Sequence, residues 1–181
     1  MKRLLILLAM LGAAFAVLSA TALGGGPVRS TSCTTDMGGQ SFTTNLDVPA
    51  GATCRLSGGS VSGNVSVEGT LFTFGYSFSQ NVTLTGGSFC NVNYPLHITG
   101  NLAITGSSGP SNGPCEQNGN FAVYGDGSSI GGNFSYTGNS GRLYIAGDAG
   151  GTVLSGNFTF NTNTGGYDIG GLHVLGHSNI S

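Results

Sequence analysis

Basic residues are nearly absent from this chain. Lys2 and Arg3 stand at its start; the rest holds only Arg29, Arg55 and Arg142 against seven acids, which leaves a net charge of −4 for that part. A nucleic-acid partner needs clustered Lys and Arg to neutralise phosphates and release counterions, so no nucleic-acid role is expected. A polybasic membrane-surface role is excluded on the same ground. The four cysteines show no CxxC or CxH pairing, so no zinc-ligand spacing is present. No GxSxG elbow offers a serine nucleophile. The acids Asp36, Asp47, Glu68, Glu116, Asp126, Asp148 and Asp168 are never closer than 10 residues apart.

So few charges beside 34 glycines would in many chains mean disorder, because little apolar surface is available to offset the ordering entropy. Here Val, Leu, Ile and Phe recur at alternating positions, which is the period of strands. The one long apolar run, Leu4 to Leu18, follows Lys2 and Arg3 and precedes Ala20-Thr21-Ala22, a small-x-small cleavage site. At 15 residues it falls short of the roughly 20 that cross a bilayer. Residues 1–22 are therefore expected to be a signal peptide cleaved after Ala22, and the product to be secreted or displayed at the cell surface. No Cys closely follows the run, which argues against a lipid-modified N-terminus. The remaining chain divides into an N-terminal cap and opening coil over 23–60 and repeats over 61–181.

Cys33, Cys54, Cys90 and Cys115 all lie in the exported part, where an oxidising compartment favours two disulfides. Four cysteines allow three connectivities. Sequential pairing, Cys33 with Cys54 and Cys90 with Cys115, closes the shortest loops.

A repeated unit organises the chain: Gly-Asn, then apolar, small polar, apolar. It occurs at Gly63-Asn64-Val65-Ser66-Val67, Gly100-Asn101-Leu102-Ala103-Ile104, Gly119-Asn120-Phe121-Ala122-Val123, Gly132-Asn133-Phe134-Ser135-Tyr136 and Gly156-Asn157-Phe158-Thr159-Phe160. Gln80-Asn81-Val82-Thr83-Leu84 replaces the glycine, and Gly170-Gly171-Leu172-His173-Val174 replaces the asparagine. The asparagine spacings of 17, 20, 19, 13 and 24 average between 18 and 19, one coil of a parallel β-helix with three short strands and three turns. Leucine-rich repeats share the period but need regular leucines and helix-forming stretches. The expected fold is all-β, a single parallel β-solenoid of roughly seven coils with an N-terminal capping segment. Since 13 and 24 together make two ordinary coils, Asn133 is expected either on another face or in a coil short of one strand.

Side chains alternate along a strand, so stacked coils sort these units into two ladders. Inward are Val65 and Val67, Val82 and Leu84, Leu102 and Ile104, Phe121 and Val123, Phe134 and Tyr136, Phe158 and Phe160, Leu172 and Val174, a core that thickens from aliphatic to aromatic. Outward are Ser66 and Glu68, Thr83 and Thr85, Ala103 and Thr105, Ala122 and Tyr124, Ser135 and Thr137, Thr159 and Asn161, His173 and Leu175.

At the turn, glycine reaches positive φ without steric cost and asparagine tolerates the left-handed region while bonding nearby backbone. A corner ladder of Asn64, Asn81, Asn101, Asn120, Asn133 and Asn157 is expected. The same pair generates four of five N-glycosylation patterns, at Asn64, Asn81, Asn133 and Asn157; the fifth is Asn179. An asparagine bonded inside a stack is a poor acceptor of glycan. Gly106 to Gly119, rich in Ser, Gly and Pro, reads as a loop bulging from one coil that Cys115 staples back. Past the last unit no charged or helical cap follows, and an uncovered coil invites self-association through its edge.

Residues 46 to 175 resemble a group of secreted bacterial proteins of unassigned activity. These carry a segment similar to Val48-Pro49-Ala50-Gly51-Ala52-Thr53-Cys54, then Gly-Asn-apolar coils. The resemblance implies the parallel β-helix and carries no function with it.

β-Helices often house polysaccharide lyases and hydrolases. Such sites resemble calcium-binding acid clusters beside a basic residue, or grouped aspartates with a histidine. Glu68 is the only acid in its ladder; the corresponding residues are Thr85, Thr105, Tyr124, Thr137, Asn161 and Leu175. General acid–base work needs a positioned pair, so a non-enzymatic chain without a cofactor is expected. His97, His173 and His177 include a pair four residues apart, which would share one face only within a strand. Gly147-Asp148-Ala149-Gly150-Gly151 is isolated, unlike a calcium-binding nonapeptide array. The outward face, Ser66, Thr83, Thr85, Thr105, Ser135, Thr137, Thr159 and Asn161, is flat and weakly polar. Ice-binding solenoids resemble it in their Thr-x-Thr ranks, though only Thr83 and Thr85 form that unit in full, and Ser and Thr also simply suit exposed strands. The expected role is structural or surface-interacting, with ice, glycan or a cell-surface component as candidate partners.

Overall fold

The computed structural model describes residues 29–108, 121–124, 126–147 and 150–181. The expected signal peptide, most of the Gly106 to Gly119 loop, and Cys115, Asn120 and Asp148 lie outside the described residues. Every helix or strand assigned among the described residues is a strand. The chain opens with β1 (Ser30–Ser32) and then winds through coils of three. The first coil is β2 (Asn45–Val48), β3 (Thr53–Ser57) and β4 (Ser60–Val61); the second is β5 (Val65–Val67), β6 (Thr70–Phe74) and β7 (Ser77–Phe78). The third is β8 (Val82–Thr85), β9 (Ser88–Asn91) and β10 (His97–Ile98); the fourth is β11 (Leu102–Thr105), β12 (Phe121–Tyr124) and β13 (Ser128–Ile130). The fifth is β14 (Phe134–Thr137), β15 (Leu143–Ala146) and β16 (Thr152–Leu154); the sixth is β17 (Phe158–Asn161), β18 (Tyr167–Asp168) and β19 (Leu172–Val174), followed by β20 (Ser178–Ile180).

Each strand pairs in parallel with its counterpart one coil away, which makes three sheets. Sheet A holds eight strands in the order β1-β2-β5-β8-β11-β14-β17-β20; sheet B runs from β3 to β18 and sheet C from β4 to β19, six strands each. The fold is thus a parallel β-solenoid of about six turns. Residues 29–44 lie below the first coil: β1 pairs with β2, Asp36 bridges to Arg55 and Phe42 to Val61. The expected cap is therefore a rudimentary coil itself, and Asn45–Val48 is already the second strand of sheet A.

The inward residues of the three sheets form one continuous core. In sheet A the column Leu46, Val65, Val82, Leu102, Phe134 and Phe158 is fully buried and turns aromatic toward the C-terminal end, as expected. Phe89, Phe121, Phe134 and Phe158 pack ring against ring with centroids 5.1–5.6 Å apart. Burying one such side chain contributes roughly 1.5–3 kcal/mol, which no single coil could collect alone. Two tyrosines carry polar tips into this core. Tyr76 donates its hydroxyl to the Gln40 carbonyl at 2.6 Å, and burial pushes its pKa up to about 12. Tyr136 donates to the Gly141 carbonyl at 2.9 Å, and burial raises its pKa as well.

Two of the repeat units do not belong to sheet A. Phe121 pairs with Phe89 and Leu143 in sheet B, and Leu172 pairs with Thr152 in sheet C. The copy headed by Asn120 is the displaced one, and Asn133 is in line with the others. Corner asparagines are accordingly 19, 17, 20, 32 and 24 residues apart, with His177 a further 20 on. The 32-residue coil carries its extra length between β11 and β12. Alternation alone fits a strand in any of the three sheets, so the pattern did not distinguish them.

Candidate functional site

The outward residues of sheet A form in-register columns. Asp47, Ser66, Thr83, Ala103, Ser135, Thr159 and Asn179 follow one another strand by strand, and beside them run Thr85, Thr105, Thr137 and Asn161. Neighbours in a column are about 4.8 Å apart. Of the candidate face, Ser66, Thr83, Thr85 and Thr105 are exposed; Ser135, Thr137, Thr159 and Asn161 are half-buried. Ser135 and Thr137 bond to each other through their hydroxyls at 3.1 Å, which quenches part of that coil's capacity to bond a ligand. Ala122 and Tyr124, on β12, and His173 and Leu175, around β19, belong to the other sheets and drop out of this face.

A ladder along one corner ties successive coils together beside the face. The backbone N–H of Asn64 donates to Asn45 Oδ1, that of Asn81 to Asn64, Asn101 to Asn81, Asn133 to Asn101, Asn157 to Asn133, and His177 to Asn157, at 2.8–3.3 Å. Each side chain thus serves the turn of the next coil. The ladder's first member, Asn45, is preceded by Thr44 rather than glycine, so the Gly-Asn signature missed it. The signal was there in Asn-Leu-Asp-Val.

The glycines at this corner correct the expected reason for them. Gly63, Gly100 and Gly132 do not adopt positive φ. A Cβ on Gly63 would stand 2.6 Å from Asn45 N and Oδ1, and one on Gly132 2.5 Å from Asn101 Oδ1. These glycines are required by close approach of successive coils. Positive φ belongs to the other two corners instead, at Gly86, Gly106 and Gly138 between sheets A and B and at Gly58, Gly75, Gly127, Gly151 and Gly171 between sheets B and C. Nothing in the structure explains why Gln80 stands in the glycine's place.

The remaining candidates scatter. Cys33 and Cys54 form a disulfide that ties the rudimentary coil to β3, in agreement with sequential pairing and consistent with a disulfide-permissive compartment. Cys90 is buried on β9 and is not free. His97 and His173 share a column of sheet C but lie three coils apart, roughly 14 Å, and His177 sits at the Asn corner, so the pair spaced four apart does not share a face. Among the described residues no three His, Cys, Asp or Glu side chains are grouped to hold a metal. Asp168 pairs with Arg142 at 3.5 Å. No protein-family model, no curated protein and no solved structure matches the chain.

Proposed function

We propose that this chain is an exported, non-enzymatic β-solenoid whose role is structural or surface-interacting, with the outward face of sheet A as its contact surface. The observation that supports this is the register of Ser66, Thr83, Ala103, Ser135 and Thr159 beside Thr85, Thr105 and Thr137, held by a continuous corner of asparagines. Short hydroxyl-bearing side chains at a fixed repeat match a partner that is itself periodic, either an ice lattice or a glycan chain. A globular partner with irregular relief would need bulkier anchors, since aromatic and Arg side chains carry most of the energy of protein interfaces.

Thermal hysteresis, ice recrystallisation and glycan-array assays on the wild type and on Thr83→Tyr test the proposal. The expected result is activity toward one of these partners, abolished by the ring that Thr83→Tyr places in the middle of the face. Binding unaffected by Thr83→Tyr removes sheet A as the surface. Turnover of any polysaccharide, lost on replacing a single acid, overturns the non-enzymatic assignment.

A further inference from the structure

Sheet A meets sheet B along a groove of about 260 Å³ in coils 1 to 4, and we propose that this groove binds a neutral carbohydrate. The groove adjoins the sheet A face, since Glu68 heads the column of Thr85, Thr105 and Thr137, but the rest of its lining lies outside that face, so Thr83→Tyr and Glu68→Gln report on the two surfaces separately. Its walls carry Glu68, Thr70, Ser88 and Ser108, and its floor includes Gly69 and Gly87. A Cβ on Gly87 would stand 2.7 Å from the Gly69 carbonyl oxygen, and one on Gly69 would collide with the carbonyls of Pro49 and Ala52. Neither position accepts a side chain, so the floor is bare backbone.

The polar groups match a polyol. Thr53, Thr70 and Ser88 stand in register one coil apart, and the Ser88 hydroxyl bonds that of Thr70 at 3.1 Å. Hydroxyls both donate and accept, as a sugar does, and an ionised carboxylate only accepts. Glu68 occupies the place that Thr85, Thr105 and Thr137 fill in later coils, and its carboxylate has no ion-pair or hydrogen-bond partner among the described residues. Two adjacent sugar hydroxyls would donate to its two oxygens, and such charge-assisted bonds are roughly twice as strong as neutral ones. Among the described residues no Lys or Arg lines the groove, which disfavours a phosphate or an acidic sugar. One carboxylate is too few for a divalent cation, which takes six or more oxygens. The volume lies below the roughly 300–1,000 Å³ of sites for drug-sized ligands and fits a short stretch of a chain of sugar rings.

The test is an NMR titration of the ¹⁵N-labelled chain with neutral gluco-, manno-, galacto- and xylo-oligosaccharides, with a sugar phosphate and calcium alone as separate arms. At least one neutral sugar is expected to give saturable shifts at the amides of Gly69, Thr70, Gly87 and Ser88. Glu68→Gln, an isosteric change at an exposed position, should weaken that binding about tenfold, with spectra elsewhere unchanged to show that the fold is kept. Val153→Thr, on sheet C and away from the groove, should leave it as it is. The proposal is overturned by the absence of saturable shifts with every neutral sugar, by shifts centred elsewhere, by equal affinity in Glu68→Gln, or by tighter binding of the sugar phosphate or calcium.

Discussion

The corner leading from sheet C into sheet A spans three residues in every coil, whereas the corner from sheet A into sheet B spans anything from two residues to fifteen. The two are built on different physics. At the first, each turn's N–H is bonded by an asparagine of the preceding coil, and glycines let the backbones approach too closely for a side chain. At the second, tight glycines such as Gly69 and Gly87 occur in some coils and asparagine bonds run only from Ser107 to Asn139 to Asn163 of coils 4 to 6, while glycines such as Gly106 point into open space and serve the left-handed backbone, which an insertion can replace. A corner bonded to its neighbours in every coil cannot lengthen without breaking the ladder; one so bonded over only part of its height can. Length variation is therefore kept away from the edge where sheet A begins.

The largest expected effect separates the two corners on the two flanks of one strand, β11. Gly100→Ala puts a Cβ 2.6 Å from the Gln80 backbone and 2.8 Å from Asn81, so a loss of about 3 kcal/mol or more is expected in denaturant unfolding. Gly106→Ala meets nothing within 4 Å and costs only the left-handed penalty, about 1–2 kcal/mol. Equal losses would erase the distinction. Next comes the tyrosine just before coil 2's third strand. Tyr76 has its pKa raised from 10.0 to about 12 by burial, so the stability it lends is complete below pH 10 and is lost as pH rises through about 12. Alkaline unfolding followed by circular dichroism should show that loss, and Tyr76→Phe should reduce it.

Asn101→Ala deletes the acceptor for the Asn133 N–H and should cost about 1 kcal/mol in the same unfolding assay. The smallest effect is a gain. Thr162 holds φ +52 at the A-to-B corner of coil 6, where coils 3, 4 and 5 have glycine. Thr162→Gly should raise stability by about 1 kcal/mol, since a β-branched residue is strained there.

The fold was legible because Gly-Asn and the alternation recur together; the inward columns of sheet A came out as the pattern implied. Membership of the sheets was not legible. Phe121-Ala122-Val123 and Leu172-His173-Val174 alternate as sheet A strands do, and only the pairing assigns them to B and C. The role of glycine was misread because close approach and positive φ demand the same residue. Glu68 stood out as the lone acid of its ladder, but the groove beside it depends on turn geometry that the pattern does not encode.

Amide hydrogen exchange tests the contrast most directly. The account predicts that the N–H groups of Asn64, Asn81, Asn101, Asn133 and Asn157 exchange as slowly as core strand amides, although these residues are exposed, and that Asn101→Ala releases Asn133 alone. Corner amides that exchange at the rate of open turns would contradict it.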